Sequence, residues 1–281
     1  MTLNFSIWTD FYNDLTVEES VLRLLKHGFT KSELSINHGQ QLLNRMGLPE
    51  QVGKEFRAFL NDHGYTVSQG HLSFNRGLCS GEAVEELKKE IDLFLAIGIE
   101  NAVIHANGGQ HLTPQERFDC RVRSLNELTD YIKGTPLKLC LENLGSVPET
   151  HTVERIREII DAVGSKQLKI CLDTGHLHLV NGRGEANQSQ AEFIRGAGND
   201  LCAMHVTNNS GGGDDHLMPF SSRIGVDWKE VINALDEIGY TGLFNLEILG
   251  ENKAPLVIRD AKLLYIKQML EYMTSEEYLS T

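Results

Sequence analysis

Short apolar segments alternate with longer amphipathic segments along the whole chain, and this alternation constrains the fold more than any other feature. The short segments have the length and composition of buried strands, and they read LNFSIW, SELSI, YTVSQGH, NAVIHA, LKLCLEN, LKICLD, LCAMHV and GLFNLEIL. Segments such as AVEELKKEIDLFLAIG and TVERIREIIDAVG lie between them and have the periodicity of helices. Strands that alternate with helices pair in parallel through right-handed crossovers, so eight such units predict an α/β fold, a single (β/α)8 TIM barrel.

An open doubly wound sheet is the alternative fold for such a pattern. That fold has a glycine-rich turn after its first strand, whereas the corresponding segment here, IWTDFYND, contains no glycine. No linker, low-complexity tract or change in composition divides the chain, so we predict one barrel domain over residues 1–281. Two long loops, NGRGEANQSQ from Asn181 and NNSGGGDDHLMPFSSRIG from Asn208, are predicted to cover the active site.

The composition argues against several classes of function. The chain has 26 Lys and Arg residues against 39 Asp and Glu residues. The resulting net charge of -13 argues against a nucleic-acid partner, which would require a local basic patch. The segment MTLNFSIWTD lacks the features of a signal peptide and no apolar run has the length of a membrane span, so a cytoplasmic location without membrane contact is predicted. The five cysteines show no CxxC spacing, and we interpret Cys140, Cys171 and Cys202 as small buried hydrophobes.

Six predicted strands end on a side chain that can bind a metal or transfer a proton. In order from the third strand to the eighth, these side chains are His71, His105, Glu142, Asp173, His205 and Glu247. Because the carboxyl ends of all strands in a barrel open on one face, the six are predicted to converge there. Cys140 and Glu142 lie two residues apart, as do Cys171 and Asp173, so each pair is predicted to point to the same side of its strand, into the barrel.

The segment ICLDTGHLHLV shows this pattern at the sixth strand. We interpret it as a strand that ends on Asp173, followed by a short loop that turns on Gly175 and carries His176 and His178. Taken alone, Asp-Thr-Gly-His is also typical of a turn with side-chain caps. The repetition of ionisable residues at six strand ends favours a functional site over six unrelated turns.

Six ionisable groups around one axis repel and desolvate one another unless a cation or a proton-sharing network compensates them. Mixed imidazole and carboxylate ligands are typical of divalent transition metals and argue against calcium, which binds oxygen ligands alone. We therefore predict a divalent metal cofactor, with manganese, cobalt or iron favoured and zinc as the alternative.

Several motifs resemble those of the xylose isomerase-like (β/α)8 superfamily. They are LENLG at Glu142, CLDTGH at Asp173 and His176, the strand of His205, the D-x-H at Asp214 and His216, and LE at Glu247. The superfamily includes tagatose 3-epimerase-like sugar epimerases and isomerases, inosose and dehydroshikimate dehydratases, and endonuclease IV. The resemblance runs from about Gly70 to Leu249, and its motifs separate the members of the superfamily poorly.

The epimerase-like members imply one divalent metal held by Glu142, Asp173, His205 and Glu247. They also imply that Glu142 and Glu247 transfer the proton, one from each face of the bound sugar. Further substrate contacts are predicted for a set of residues at the strand ends and in the loops, namely His176, His71, His105, Trp8 and Asn208. In place of the arginine that epimerases often carry after the histidine of the seventh strand, this chain has HVTNNSGGG, which indicates a different substrate or reaction.

The endonuclease IV resemblance implies a different site, in which three zinc ions share nine ligands. This chain matches all nine, because His71, His105, His176, Asp214 and His216 are additional candidate metal ligands besides the four of the epimerase-like site. The net charge of -13 argues against binding of duplex DNA. In addition, His216 is followed by LMPFSSRIG instead of the Pro-Gly-x-Gly turn that relatives commonly have.

We therefore predict an isomerase or epimerase of a small sugar, sugar phosphate or cyclic polyol that works through a metal-stabilised enediolate. The alternatives are a dehydratase on a similar substrate and an endonuclease IV-like zinc phosphodiesterase that acts on abasic DNA. The predicted partner is a small carbohydrate. The C-terminal run VIRDAKLLYIKQMLEYM is amphipathic and is predicted to be the last barrel helix, and its apolar stripe leaves a homo-oligomer open.

Overall fold

All eight predicted strands are present in the computed structural model, which describes residues 3–280. Residues 1, 2 and 281 of the predicted domain lie outside the described part. The strands are Asn4–Ile7 (β1), Lys31–Leu34 (β2), Thr66–His71 (β3), Asn101–Ile104 (β4), Lys138–Glu142 (β5), Leu168–Asp173 (β6), Leu201–Val206 (β7) and Leu243–Leu246 (β8). They form one parallel sheet in the order β1-β8-β7-β6-β5-β4-β3-β2.

The sheet curls into a nearly closed barrel, which confirms the predicted fold. Its two end strands, β1 and β2, meet through side chains, since Lys31 Nζ donates to Asn4 Oδ1 at 2.6 Å. Near their carboxyl ends, the backbone N–H of Ser35 donates to Thr9 Oγ1 at 3.0 Å. All eight strands therefore run in the same direction around one axis, and their carboxyl ends open on one face.

Helices follow the strands and cover the outside of the barrel. They are Val17–Lys26 (α1), Ile36–Leu43 (α2), Pro49–Asp62 (α3), Gly81–Ile97 (α4), Pro114–Tyr131 (α5), Val153–Val163 (α6), Thr174–Gly182 (α7), Gln190–Ala197 (α8), Trp228–Glu237 (α9), Leu256–Met273 (α10) and Glu276–Ser280 (α11). Short 3-10 helices span Thr9–Tyr12, Pro148–Thr150 and Gly198–Asp200. None of the helices within residues 3–280 is long and apolar enough to span a bilayer.

Small side chains fill the barrel interior below the strand ends. Val103, Cys140, Cys171 and Ala203 are fully buried and pack together as one cluster. Burial raises the pKa of both cysteine thiols well above the ordinary value, so these groups stay protonated. Because side chains two residues apart share one side of a strand, the residues above this layer also point toward the barrel axis.

The segment after Asp173 differs from the prediction. We expected a short loop with His176 and His178, but helix α7 begins at Thr174, directly after β6. Asp173 is the N-cap of this helix, since its Oδ1 accepts a hydrogen bond from the backbone N–H of His176 at 2.7 Å. The cap satisfies a backbone donor that the first helical turn leaves free, which is why the chain continues into a helix without a loop.

Candidate active site

The structure brings the six strand-end residues together at the carboxyl face of the barrel. The side chains of His71, Glu142 and Asp173 close β3, β5 and β6, and His205 is the penultimate residue of β7. His105 and Glu247 directly follow β4 and β8. The exposed fraction of Glu142, Asp173 and His205 is at most 1 %. Such burial of charged groups requires compensation by partners of opposite charge.

Glu142 lies at the centre of this group and contacts four histidines. One oxygen, Oε2, accepts a hydrogen bond from His105 Nε2 at 2.8 Å and lies 3.5 Å from His71 Nε2. The other, Oε1, lies 3.2 Å from His176 Nδ1 and 3.3 Å from His205 Nδ1. Burial alone would raise the pKa of Glu142, but the charges on His205 and His105 hold it well below the ordinary value. Glu142 is therefore an ionised carboxylate.

Glu247 is the second carboxylate of the group and has different surroundings. Its Oε2 lies 3.0 Å from His205 Nδ1, the same nitrogen that Glu142 approaches. Burial raises the pKa of Glu247 to about 7, although the charges on His205 and His216 act in the opposite direction. Glu247 therefore exchanges a proton near neutral pH, whereas Glu142 stays ionised.

Asp173 is held by three contacts on one of its oxygens. Its Oδ1 accepts hydrogen bonds from the backbone N–H of His176 and from Thr207 Oγ1 at 3.0 Å, and it lies 3.9 Å from His176 Nδ1. Gly175 permits this arrangement, because a Cβ atom at that position would lie 2.2 Å from Thr207 Oγ1. The other oxygen, Oδ2, is buried and has no hydrogen-bond partner. A buried carboxylate oxygen in this state lacks a donor or a cation.

The D-x-H motif in the loop after β7 reaches the same cavity. Asp214 Oδ2 lies 3.1 Å from His176 Nε2 and 3.6 Å from His216 Nε2. Burial would lower the pKa of His216, but the hydrogen bond to Asp214 and the charge on Glu247 raise it to about 10. His216 has a positive φ of 46° and its ring stacks on that of Trp8, with centroids 5.9 Å apart. This strained backbone holds the imidazole over the end of β1.

A cavity of about 350 Å³ opens above this group of residues. It is lined by Trp8, Asp10, Ile36, Asn37, His71, Phe74, Asn75, His105, Glu142, His176, Asp214, His216 and Glu247. A second cavity of about 340 Å³ shares Phe74, His105, His176 and Asp214 with the first. Among the described residues that line the first cavity, none is lysine or arginine.

Several residues of this region were not among the predicted site residues, and three of them make specific contacts there. Asp10 lines the cavity, where its carboxylate accepts hydrogen bonds from Ser35 Oγ and from Asn37 Nδ2. Phe74 stacks on the ring of His105, with centroids 4.3 Å apart and planes inclined by 11°. Glu33 at the end of β2 is fully buried. The signal for Glu33 was its position, because it is an acidic residue inside the apolar run SELSI.

Asn208, a predicted substrate contact, does not belong to the described wall of the cavity. Its side chain is 1 % exposed, and its Oδ1 accepts hydrogen bonds from the backbone N–H groups of Asn209 and Val226 at 3.0 and 3.2 Å. Its backbone also forms a two-bond bridge with Leu217. Asn208 therefore joins two ends of the long loop after β7. The other predicted substrate contacts, Trp8 included, line the cavity.

The donor set fits a divalent cation. Oxygen and nitrogen atoms that lie within 4.8 Å of one another occur in the groups His71–His105–Glu142, His71–His205–Glu247 and Glu142–Asp173–His176. Among the groups found within residues 3–280, none contains all four ligands that the resemblance implies. The free Oδ2 of Asp173 and the mixture of carboxylate and imidazole donors match the preferences of manganese, iron, cobalt and zinc.

Parts of this chain are similar in sequence to curated proteins. The D-psicose 3-epimerase of Enterocloster bolteae is 30% identical over 128 residues, which cover 45% of this chain and 38% of that protein. A probable endonuclease 4 of Acholeplasma laidlawii is 26% identical over 136 residues, which cover 44% of this chain and 46% of that protein. The matches thus span about half or less of the length of these curated relatives.

The fold has close counterparts among solved structures. The crystal structure of a D-tagatose 3-epimerase-like protein superposes with a TM-score of 0.76 over 98% of both chains, at 21% sequence identity. A family model described as "Xylose isomerase-like TIM barrel" matches residues 21–273. The match covers most of the barrel, including all six strand-end residues. The chain therefore belongs to the xylose isomerase-like TIM barrel family.

Proposed function

We propose that this protein is a divalent-metal-dependent isomerase or epimerase of a small sugar, sugar phosphate or cyclic polyol. The observation that carries the proposal is the placement of Glu142 and Glu247. Both carboxylates are buried, both line the cavity, and both approach Nδ1 of His205, at 3.3 and 3.0 Å. Two carboxylates at one small cavity permit one to remove a carbon-bound proton and the other to return it.

The different surroundings of the two carboxylates support separate roles. The imidazoles around Glu142 hold its pKa well below the ordinary value, and burial raises that of Glu247 to about 7. Environments that push the pKa values of two groups apart are typical of an acid and a base. β5 and β8 are three positions apart in the sheet, so the two carboxylates approach the cavity from different sides.

Glu142, Asp173, His205 and Glu247 would hold the cation. When bound, it would polarise the substrate carbonyl and stabilise the negative charge of the enediolate. The remaining tasks belong to the chain. Glu142 and Glu247 transfer the proton, Asp173 and His205 anchor the site, and His176, which lines the cavity, holds Asp214 at its wall through Nε2.

The cavity supports a small carbohydrate as the substrate. Its volume of about 350 Å³ lies in the lower part of the range for small-molecule sites, which is about 300–1,000 Å³. Trp8 and Phe74 offer aromatic surfaces to the apolar faces of a sugar ring. Asp10 and Asn37 offer polar groups to hydroxyls on the same side of the cavity. Such a combination of aromatic and polar groups is typical of sugar-binding sites.

The test is solvent exchange of a carbon-bound proton. The manganese-loaded protein would be incubated in D₂O with a panel of free and phosphorylated ketoses and cyclic polyols, and NMR would follow the loss of C–H signals and the appearance of new stereoisomers. We expect exchange in at least one substrate. Glu247→Gln should abolish that exchange with the fold intact, whereas Glu277→Gln, a substitution of an exposed glutamate in α11, should leave it unchanged.

A dehydratase would begin with the same proton removal, and the same experiment separates it from an isomerase. A product that has lost one water molecule relative to the substrate, detected by mass spectrometry, would assign the protein to the lyases. Retained exchange in Glu247→Gln would contradict the proton-transfer role in either case. No exchange in any member of the panel would count against both the isomerase and the dehydratase.

An endonuclease IV-like phosphodiesterase is the second candidate function. The observation in its favour is that five further candidate ligands, His71, His105, His176, Asp214 and His216, line the same cavity. Against it are the net charge of -13 and the cavity wall, in which no described residue is lysine or arginine. Incubation of zinc-loaded protein with a duplex that contains an abasic site tests it. Cleavage that is lost in Asp214→Ala would favour this function over the first.

A further inference from the structure

We infer that Glu33 is the positioning residue of the metal site and that it fixes the tautomer and orientation of His205. This inference rests on the proposed metal-dependent function. It concerns a residue that contacts neither the cavity nor any of the predicted ligands except His205. The argument starts from the two nitrogens of the His205 ring, which face different partners.

One nitrogen of His205 faces the predicted ligands and the other faces Glu33. Nδ1 lies 3.0 Å from Glu247 Oε2 and 3.3 Å from Glu142 Oε1. Nε2 lies 2.9 Å from Glu33 Oε2. Both Glu33 and His205 are fully buried, so water does not compete for this contact. The same Oε2 atom accepts a hydrogen bond from Gln69 Nε2, and we take it as the acceptor of the contact with His205 too, which places a proton on Nε2.

A neutral imidazole has one N–H donor and one acceptor nitrogen. With the Nε2 proton donated to Glu33, Nδ1 is the nitrogen that faces Glu142 and Glu247 and that supplies the lone pair to a cation when the ring is neutral. A carboxylate on the far side of a histidine fixes its tautomer and increases its basicity as a ligand. Glu33 thus has the position that a carboxylate needs in order to prepare His205 for metal binding.

Glu33 is itself held in place by its neighbours. Gln69 on β3 donates a hydrogen bond from Nε2 to the same Oε2 atom of Glu33. Gln69 is also fully buried, and the two residues are direct partners in the pairing of β2 with β3. The register of this pairing shifts between Ser32 and Glu33. An irregularity of this kind redirects the side chain that follows it, here toward the barrel axis.

Packing alone does not explain why a carboxylate is buried at position 33. A buried carboxylate is expensive to desolvate, and Oε1 of Glu33 has no hydrogen-bond partner. A neutral side chain of similar volume would fill the same space without that cost. The contact that requires the charge is the one with His205, because a carboxylate stabilises the imidazole whose other nitrogen binds a cation.

The experiment is a measurement of metal affinity in Glu33→Gln, which preserves the volume of the side chain and removes its charge. Binding of Mn²⁺ would be followed by electron paramagnetic resonance of the free ion, without any substrate. We expect the dissociation constant to rise by about 10- to 100-fold. Glu90→Gln is the matched control. Glu90 is also a buried glutamate, but it accepts hydrogen bonds from Ser73 and Gln40 and does not contact His205. The Glu90→Gln variant should therefore bind Mn²⁺ with the wild-type affinity.

A second measurement uses the unaltered protein and does not depend on the folding of a variant. In zinc-loaded protein with ¹⁵N-labelled histidine, the nitrogen shifts of His205 should show a protonated Nε2 and a metal-bound Nδ1. The reverse assignment would overturn the inference, and so would wild-type affinity for Mn²⁺ in folded Glu33→Gln. Failure of the wild type to bind any divalent cation would overturn it together with the proposed function. Weakened binding in Glu33→Gln without turnover of any sugar would support Glu33 and contradict only the isomerase proposal.

Discussion

The two sides of the cavity differ in chemistry. The segments that follow β1, β2 and β3 contribute Trp8, Ile36 and Phe74, together with the neutral amide of Asn37. The elements from β4 to β8 contribute ionisable side chains, which are His105, Glu142, His176, Asp214, His216 and Glu247. Asp10 and His71 are the exceptions on the first side. One side thus offers contact surface, and the other offers charge and protons.

This difference indicates a division between binding and catalysis. Charged groups on the second side contact one another at 2.8–4.0 Å, so a change at one of them alters the charge of the whole group. On the first side, Phe74 is 39 % exposed and mainly contacts its neighbours through ring faces. Substitutions on the ionisable side should therefore change kcat and metal affinity, and substitutions on the aromatic side should change KM.

The largest effect is expected for Glu142→Gln. This change removes the charge that four imidazoles share and one of the two groups that we propose as proton-transfer groups. We expect kcat to fall by about 10²- to 10⁴-fold. Steady-state kinetics on the substrate found in the exchange experiment would measure it, with Glu277→Gln as the surface control. A kcat within a few-fold of wild type would contradict the assignment of catalysis to the ionisable side.

A second prediction concerns pH on the ionisable side. Burial would lower the pKa of His205, but the charges on Glu247 and Glu33 raise it well above the ordinary value, so the ring carries an extra proton at pH 7. A cation requires the neutral ring and must displace this proton. Metal affinity should therefore fall as the pH is lowered from 8 to 6, by about tenfold per unit for each proton released.

Calorimetric titration with metal in buffers of different ionisation enthalpy would count the protons released. At least one proton per cation is expected at pH 7. An affinity that does not change between pH 6 and pH 8 would show that His205 is already neutral, or that it is not a ligand. In that case the two sides of the cavity would still differ in how they contact substrate, but the difference would not extend to metal binding.

The fold was predictable because its determinants are local and repeat. Each strand and helix has its own periodicity, and helix ends such as those at Gly98 and Gly164 have positive φ angles of 95° and 67° that glycine adopts without strain. The convergence of the strand ends followed from the fold. Each of the six residues, from His71 to Glu247, could be found by its position at the end of an apolar run.

The remaining features depend on tertiary contacts that a single sequence does not display. Asp173 reads equally well as the start of a loop or as the cap of a helix, and the structure has the cap. Phe74 lies three residues beyond β3, and only the folded chain places its ring on His105. Asn208 follows the seventh strand like a site residue, but its side chain binds the loop backbone at Asn209 and Val226 and is not part of the described cavity wall.

A smaller effect is expected on the aromatic side. Phe74→Leu removes the ring that stacks on His105 and keeps an apolar side chain in the wall. An aromatic contact of this kind contributes about 0.5–1.5 kcal/mol, so KM should rise by about 2- to 13-fold. The dissociation constant for Mn²⁺ and kcat should stay near their wild-type values. A fall in kcat larger than the rise in KM would show that the ring also positions His105 for the reaction.

The smallest effect on activity is expected for Asn208→Ala, which tests where the cavity ends. The change removes the oxygen that accepts hydrogen bonds from the backbone N–H groups of Asn209 and Val226 and leaves both donors buried. The free energy of unfolding should fall by about 1–3 kcal/mol, as measured by urea denaturation. Because the side chain lies outside the described wall of the cavity, kcat/KM should remain at the wild-type value. A loss of kcat/KM without a loss of stability would instead place Asn208 at the substrate, as the sequence alone predicted, and would extend the polar part of the site into the loop after β7.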